Sequence, residues 1–270
     1  MRTRWTSLLC LLPLAAWAQD AAAIVRRSVE RDASNFERIR NYTFVERNET
    51  REYGRSPKPK TEIESYEVLI LAGRPYGRLI EKDDKPLSPK DDRKEQQKLD
   101  QELAKRQRET PAGKAREEKK RQEERKFLSE LPAAFNLTLA GVEQVSGKPA
   151  WVIDAQPRPG YRALNKRARL FSKVRGRIWI DQADYQWVKA EAEVLDTLSF
   201  GLGLVRIAPG GRLEFEQTRV NDEVWLPSRI TARADARVGF LKKMHGELDI
   251  SYRDYKKFQS ESRIVEVTEK

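Results

Sequence analysis

The sequence predicts a mainly β (α+β) fold, with a curved antiparallel sheet of about eleven strands, an N-terminal amphipathic helix and a charged helical insertion. Two observations support this prediction. Apolar and polar residues alternate along short segments between turn residues, as expected for antiparallel strands with one dry and one wet face. Residues 82–134 instead contain many charged residues, which bury too little apolar surface to form a core.

Residues 1–18 have the pattern of a cleavable signal peptide. Two arginines precede an apolar run, and small residues stand where a signal peptidase would cleave before Gln19. Cys10 is the only cysteine of the chain, so residues 19–270 are expected to form one domain without disulfides. We therefore expect the protein in the periplasm.

Residues 20–40 are expected to form the amphipathic helix. Val25, Val29, Ala33 and Phe36 recur at helical spacing and place one apolar stripe along it. This helix should pack on a flat surface such as the sheet.

The strands are predicted from alternation and from the turn residues between them. They cover residues 42–45, 63–71, 76–80, 137–145, 149–155, 174–181, 186–194, 212–220, 223–236, 246–255 and 264–267.

Residues 82–134 form the charged helical insertion of this prediction. Leu87, Leu99 and Leu103 are the large apolar residues of its charged part, and residues 110–113 suggest a break between two helices. We interpret it as a mobile insertion. A partner-binding coiled coil is the alternative, although apolar heptad positions are missing.

The connections between strands differ in length in a regular order. Short ones at residues 72–74, 146–148, 182–185 and 221–222 alternate with long ones at residues 52–61, 82–134, 157–173, 197–210 and 237–245. If consecutive strands pair as hairpins, all tight turns lie at one end of the sheet and all long loops at the other. Long connections gathered at one end indicate a functional rim.

Small and apolar residues mark a candidate binding surface on this sheet. Alanines recur on two of the strands and leave volume that either the N-terminal helix or a ligand must fill. Apolar residues in the long loops either plug the open end of the sheet or contact that ligand. The candidate lining residues are Val188, Ala190, Ala192, Ala232, Ala234, Leu198, Phe200, Leu202, Phe240 and Leu241.

Basic residues stand beside the apolar residues of the long loops. The formal charge of the chain is +11, and Arg167, Arg169, Lys242 and Lys243 are the candidate head-group cations. Apolar residues next to cations suit an amphiphile with an anionic head or a membrane surface. Nucleic acid is not the expected polyanion outside the cytoplasm.

Catalytic motifs are missing from the sequence. His245 is the only histidine, and neither a nucleophile elbow nor a phosphate-binding lysine loop occurs. Pairs of aspartates lack the ligand density of a dedicated calcium site. We therefore expect no enzymatic activity, no cofactor and no metal ion.

Three segments of the sequence resemble the periplasmic outer-membrane lipoprotein-sorting carriers of the LolA/LolB-like family. They are residues 177–181 (RIWID), 185–191 (YQWVKAE) and 225–229 (WLPSR). The resemblance covers the chain after the leader except for the charged insertion. It implies an open half-barrel with helices as a lid, which binds the acyl chains of a lipoprotein or a similar amphiphile.

Two hypotheses for the function follow. The first is a non-enzymatic periplasmic carrier or sensor that binds an acylated lipoprotein or a lipid in the concave face of the sheet. The alternative is a protein-interaction module, in which the charged insertion binds a periplasmic partner and the sheet is a scaffold.

Overall fold

The computed structural model describes residues 20–54, 58–200, 205–238 and 242–258 of the chain. The helices are α1 (Ala21–Ile39), α2 (Pro89–Gln107), α3 (Pro111–Arg125) and α4 (Leu131–Ala134), with 3₁₀ helices at Lys126–Glu130 and Arg167–Lys173. The strands are β1 (Tyr42–Tyr53), β2 (Lys60–Leu71), β3 (Arg74–Lys82), β4 (Lys85–Pro86), β5 (Phe135–Val145), β6 (Lys148–Pro157), β7 (Val174–Asp181), β8 (Trp187–Val194), β9 (Leu198–Phe200), β10 (Val205–Ile207), β11 (Arg212–Val220), β12 (Val224–Val238) and β13 (Lys242–Lys257).

All of these strands belong to one antiparallel sheet. The strand order is β4-β3-β2-β1-β13-β12-β11-β8-β7-β6-β5, and the short β10 pairs with β12 and with β9. The first long strand, β1, therefore pairs with the last, β13, in the middle of the sheet. The edge strands β4 and β5 lie at opposite ends of this order, so the described sheet is open. The predicted fold class is confirmed, and the predicted strand at residues 264–267 lies outside the described residues.

Three of the predicted long loops contain strand residues. The pairing of β12 with β13 extends to Val238 and Lys242, so the predicted loop at residues 237–245 is wrong for most of its length. Residues 197–210 contain β9 and β10, and β1 continues to Tyr53. Cross-strand pairing adds these residues to the sheet, although the glycines and clustered cations of these segments are more typical of loops.

The predicted separation of the connections is confirmed by the strand registers, with one exception. The turns after β2, β5, β7 and β11 lie at one end of the sheet, here called the turn end, and the longer connections lie at the other, the loop end. At Ser146–Gly147 and at Asn221–Asp222 both residues have positive φ, as two-residue hairpin turns require. The exception is the tight turn Asp83–Asp84, which joins β3 to β4 at the loop end.

The charged segment is a crossover and not an insertion between neighbouring strands. Because β4 and β5 lie at opposite edges of the sheet, residues 87–134 carry the chain from one edge to the other. Helices α2 and α3 confirm the predicted break. The hydroxyl oxygens of Ser88 and Thr110 accept the N-terminal N–H groups of these helices, and a proline follows each cap.

Both crossover helices are attached to the rest of the molecule. The guanidinium of Arg106 on α2 donates to the carbonyl oxygens of Leu71 (3.1 Å) and Arg74 (2.9 Å) beside the β2–β3 turn. At the end of α3, Arg125 pairs with Asp32 on α1 and lies 4.0 Å from the ring centroid of Phe36. The expected mobile insertion is thus tied at two points.

Helix α1 confirms the predicted amphipathic helix but contacts the sheet through a different stripe. Ile24, Val25 and Asn35 are buried, whereas Ala33 is exposed. Asn35 donates to the carbonyl oxygen of Trp225 (2.7 Å) and accepts its N–H (2.9 Å) at the start of β12. Both polar groups of the Asn35 side chain are thus hydrogen-bonded to the backbone of β12. For this reason a polar residue can lie on the buried side of the helix.

The main core lies on the face of the sheet that α1 covers, here called the inner face. It joins α1 and α4 to the inner residues of β6 and β7, including Trp151, Ile153 and Ile178. A second, smaller cluster lies on the outer face around Trp179 and Trp225. Helix α1 therefore covers only part of the inner face.

Replacing Asn35 with alanine should destabilise the fold, because it leaves the buried N–H and carbonyl of Trp225 without partners. We expect a loss of about 1–3 kcal/mol for each group in the free energy of unfolding, measured in urea. Asn136→Ala, at an exposed position of β5, is the control and should change stability by less than about 0.5 kcal/mol. Equal effects of the two substitutions would contradict this account of the helix attachment.

Candidate functional site

A cavity of about 710 Å³ lies at the loop end of the sheet. We call it the rim cavity. Its apolar lining residues are Phe127, Leu170, Leu198 and Phe200, and its polar ones are Lys166, Arg167, Arg169, Lys173 and Ser199. Two of the predicted apolar residues, Leu198 and Phe200, thus lie together with two of the predicted cations, Arg167 and Arg169.

The 3₁₀ helix Arg167–Lys173 positions these cations. Its Ala168 and Phe171 are buried, and the Phe171 ring lies 5.6 Å from Phe127 and 5.4 Å from Phe135, measured between centroids. Burial of one side of this helix leaves Arg167 and Arg169 exposed on the other. The aromatic contacts therefore fix the backbone that carries the two arginines.

Lys173, the last residue of this 3₁₀ helix, binds the connection between β8 and β9. Its Nζ donates to the carbonyl oxygen of Thr197 (2.7 Å) and pairs with Asp196 (2.9 Å). The backbone of Leu195 also donates to the carbonyl oxygen of Lys173 (2.8 Å). These contacts hold β9, with Leu198 and Phe200, beside the 3₁₀ helix.

Glu130 fixes the loop that leads into the cations. Its carboxylate accepts the Tyr161 hydroxyl (2.5 Å) and the N–H groups of Leu164 (2.9 Å) and Asn165 (2.8 Å). Burial acts to raise the pKa of Glu130, but these three donors together outweigh it, so the pKa lies below its ordinary value. The loop presents Leu164, whose surface is 94% exposed.

Ala190, Ala192, Ala232 and Ala234 share the inner face next to the core. Register pairing places Leu213 between Ala192 and Ala232. The four alanines are half-buried and Leu213 is 44% exposed. Helix α1 packs on β5, β7 and β12, and these five residues are not part of the buried core beneath it. The helix thus fills part of the inner face, and an apolar strip remains at its side.

Val188 does not belong to this strip. The register of β7 against β8 shifts between Trp179 and Ile180, which makes Val188 the extra residue of a β-bulge. The bulge turns Val188 to the outer face, where it is buried with Ala150, Val152 and Trp225. Its predicted place beside Ala190 is wrong, because simple alternation does not allow for the bulge.

The remaining predicted residues are not brought into the rim cavity. The backbones of Lys242 and Lys243 form the start of β13, and β10 and β12 separate them from β9. Leu202, Phe240 and Leu241 lie outside the described residues.

Sequence reasoning did not select Phe127, Leu170, Lys166 or Lys173 as site residues. Lys166 and Leu170 were visible as part of the same basic and apolar segment as Arg167. Phe127 is distant in sequence and follows the charged crossover, so only the packing of the crossover against the 3₁₀ helix reveals its role.

Comparisons with known proteins found several solved structures that are similar to this chain. No protein-family model and no curated protein matches it. It is similar to an outer membrane lipoprotein-sorting protein domain from Vibrio parahaemolyticus, with a TM-score of 0.37, 10% identity and coverage of 90% of this chain and 95% of that one. A LolA superfamily protein from Nitrosomonas europaea has a TM-score of 0.31 and 12% identity, with coverage of 89% and 94%.

The MucA/MucB complex of Pseudomonas aeruginosa is also similar, with a TM-score of 0.25, 10% identity and coverage of 89% of this chain and 100% of that one. The family that the sequence resembles is thus represented among these structures. All three TM-scores are below 0.5, so the function proposed below relies on the geometry of the described residues. None of the helices in the described ranges has the length and apolar composition needed to cross a membrane.

Glu130→Gln should loosen the loop before the 3₁₀ helix. The variant loses charge-assisted hydrogen bonds, and one such bond of about 1.5 kcal/mol corresponds to roughly tenfold more frequent opening. Limited proteolysis at neutral pH should therefore cleave residues 158–166 faster in the variant. Glu62→Gln, at an exposed position of β2, serves as the control.

The parent protein should show the same loosening in acid. A carboxylate with a lowered folded pKa stabilises fully above its ordinary pKa of 4.5, and this contribution is lost as the pH falls through the lower folded value. Hydrogen exchange at the Leu164 and Asn165 amides, corrected for the intrinsic rate, should become faster in that range. Constant protection there would contradict the role of Glu130.

Proposed function

We propose that the protein is a non-enzymatic carrier or sensor of an amphiphile, with an acyl chain in the rim cavity and an anionic head at its basic edge. The observation that carries this proposal is the meeting of Phe127, Leu198 and Phe200 with Lys166 and Arg169 in one cavity. An acylated lipoprotein and a free lipid both have this chemistry.

The size and the lining of the cavity support a ligand with an apolar chain. Its volume of about 710 Å³ lies within the roughly 300–1,000 Å³ of small-molecule sites. The Phe200 side chain is 46% exposed on a short strand, and burying it under a ligand would remove apolar surface from water. The half-exposed Leu213 and its flanking alanines offer a further apolar surface on the same face.

The charges support an anionic head group. Within the described part of the chain, Lys166 and Arg169 form no ion pair, and both are exposed. Guanidinium and ammonium groups bind phosphate or carboxylate through charge-assisted hydrogen bonds. The exposed Leu164 in the preceding loop would meet the apolar layer of a membrane if the loop end approaches a bilayer.

The proposed place of action is the periplasm, on the basis of the leader pattern in residues 1–18. There the protein would hold the acyl part of its cargo away from water. Nothing in this role requires a catalytic group or a cofactor.

Phe200→Asp should weaken uptake of a dansyl-labelled fatty acid, because a carboxylate in the cavity opposes burial of the acyl chain. We expect an affinity loss of at least about tenfold, measured by fluorescence titration of protein purified without detergent. Phe258→Asp is the matched control, because Phe258 is 51% exposed at the turn end, and its affinity should match the parent.

The charge-reversed Lys166→Glu/Arg169→Glu protein should bind the same probe about three- to tenfold more weakly at low salt, and the difference should shrink at high salt. Arg162→Glu changes a cation of the same loop that does not line the cavity, and it should have a smaller effect. A native mass spectrum without bound lipid, together with no uptake of the probe by the parent, would rule out the carrier.

The alternative function is a protein-interaction module that uses the crossover helices. Their outward faces are exposed and charged, as at Arg93, Arg108 and Arg116. These three arginines form no ion pair within the described residues, so they could meet an acidic partner surface. Against this, Arg106 and Arg125 already bind the crossover to the body.

Deletion of residues 88–126 does not test this alternative cleanly, because the crossover joins the two edges of the sheet. The triple variant Arg93→Glu/Arg108→Glu/Arg116→Glu keeps the connection intact. If the protein is a carrier, the variant should take up the fatty acid as the parent does and recover the same proteins in a cross-linked pull-down. Loss of a specific partner with unchanged uptake would favour the interaction module.

A further inference from the structure

Two arginines lie directly opposite each other at the loop end, outside the rim cavity. Arg206 on β10 is the register partner of Arg237 on β12, and the backbone position of Lys243 on β13 is the next partner in the same row. Three neighbouring strands thus carry basic residues at positions that are aligned across the sheet. Directly opposed like charges destabilise a sheet, so an anion bound between them would be favoured.

The described residues supply little of that compensation. Neither Arg206 nor Arg237 forms an ion pair within the described part of the chain. Asp235 is the nearby carboxylate, and its Oδ1 lies 2.6 Å from Nδ1 of His245. One carboxylate shared with a histidine leaves the two guanidiniums with an excess of positive charge.

These arginines border a second cavity of about 610 Å³. Tyr53, Thr197 and His245 also line it, and the rings of Tyr53 and His245 lie 5.2 Å apart between centroids. The Tyr53 hydroxyl donates to the carboxylate of Glu247 (2.8 Å). This hydrogen bond fixes the orientation of the Tyr53 ring at the side of the cavity. The cavity therefore combines two arginines, the hydroxyl-bearing Thr197 and a flat aromatic surface with one carboxylate, Asp235, which is engaged by His245.

We propose that this second cavity binds a phosphate-bearing anion through Arg206 and Arg237. A planar guanidinium can donate two parallel hydrogen bonds to phosphate oxygens, and two guanidiniums can bind one phosphate from opposite sides. The Thr197 hydroxyl supplies a further donor. The Tyr53 ring beside the arginines gives an organic group on the phosphate an apolar contact, so a phosphate ester suits the cavity better than the bare ion.

The ester could come from a free metabolite or from a phospholipid head group, because both present the same phosphate chemistry. This cavity and the rim cavity have no lining residue in common. The proposal therefore stands apart from acyl-chain binding, and either one can fail alone.

The test compares the parent with Arg206→Gln/Arg237→Gln in phosphate-free buffer of constant ionic strength. Glycerol 3-phosphate should raise the thermal midpoint of the parent and leave that of the variant unchanged, because a ligand that binds only the folded protein stabilises it. Calorimetric titration should show affinity for this ester at least about tenfold weaker in the variant. Without ligand, the variant should be as stable as the parent or more so, since the opposed charges are gone.

Arg212→Gln is the matched control, because Arg212 is an exposed arginine of β11 outside this cavity, and it should bind as the parent does. Flotation with phosphatidylcholine vesicles, with and without phosphatidic acid, identifies the source of the ester. Binding of the soluble ester indicates a free metabolite, and binding of phosphatidic acid vesicles alone indicates a lipid head group. In either case the double variant must lose the binding.

The proposal is overturned if the parent binds neither probe, or if the double variant binds as tightly as the parent. Uptake of the dansyl-labelled fatty acid by the double variant should remain that of the parent. This readout separates failure of the phosphate site from failure of the carrier function.

Discussion

The hydrogen bonds between Asn35 and the backbone of Trp225 determine how the helix lies on the sheet. They join the C-terminal part of α1 to the first residues of β12, at the turn end. The Asn35 side chain bonds both backbone groups of Trp225, as a neighbouring strand would. Helix α1 is thereby held across β5, β7 and the beginning of β12. Residues nearer the loop end, such as Leu213, remain partly exposed. An apolar surface beside a covered core is the direct consequence of this attachment.

The antiparallel strand order gathers the candidate binding residues at one end of the molecule. Hairpins alternate between the two ends, so the tight turns share one end and the variable connections share the other. The rim cavity, the exposed Leu164 and the arginine row all lie at the loop end. The apolar cavity faces the 3₁₀ helix, whereas Arg206 and Arg237 occupy the strand positions between the inner-facing ones. The two cavities therefore lie near one another without sharing lining residues.

The crossover shows that a highly charged sequence can have a structural role. The apolar stem of Arg106 lets its guanidinium reach carbonyl groups at the β2–β3 turn, and Arg125 combines an ion pair with a contact to an aromatic ring. Burial raises the pKa of Asp32, and Arg125 opposes that rise. The same charges keep the outer faces of α2 and α3 solvated. The segment thus links the two sheet edges and braces α1 at once.

The sequence by itself predicted most of the long strands, the first helix, the break in the crossover and, with one exception, the separation of short from long connections, because local periodicity and turn residues encode these features. It also placed Leu198, Phe200, Arg167 and Arg169 among the candidates. Tertiary structure decided the rest. The bulge that turns Val188 outward, the contribution of Phe127 to the cavity and the facing of Arg206 with Arg237 each depend on strand register or on contacts between distant segments. Those relations arise only when the chain pairs with itself, so no local pattern could reveal them.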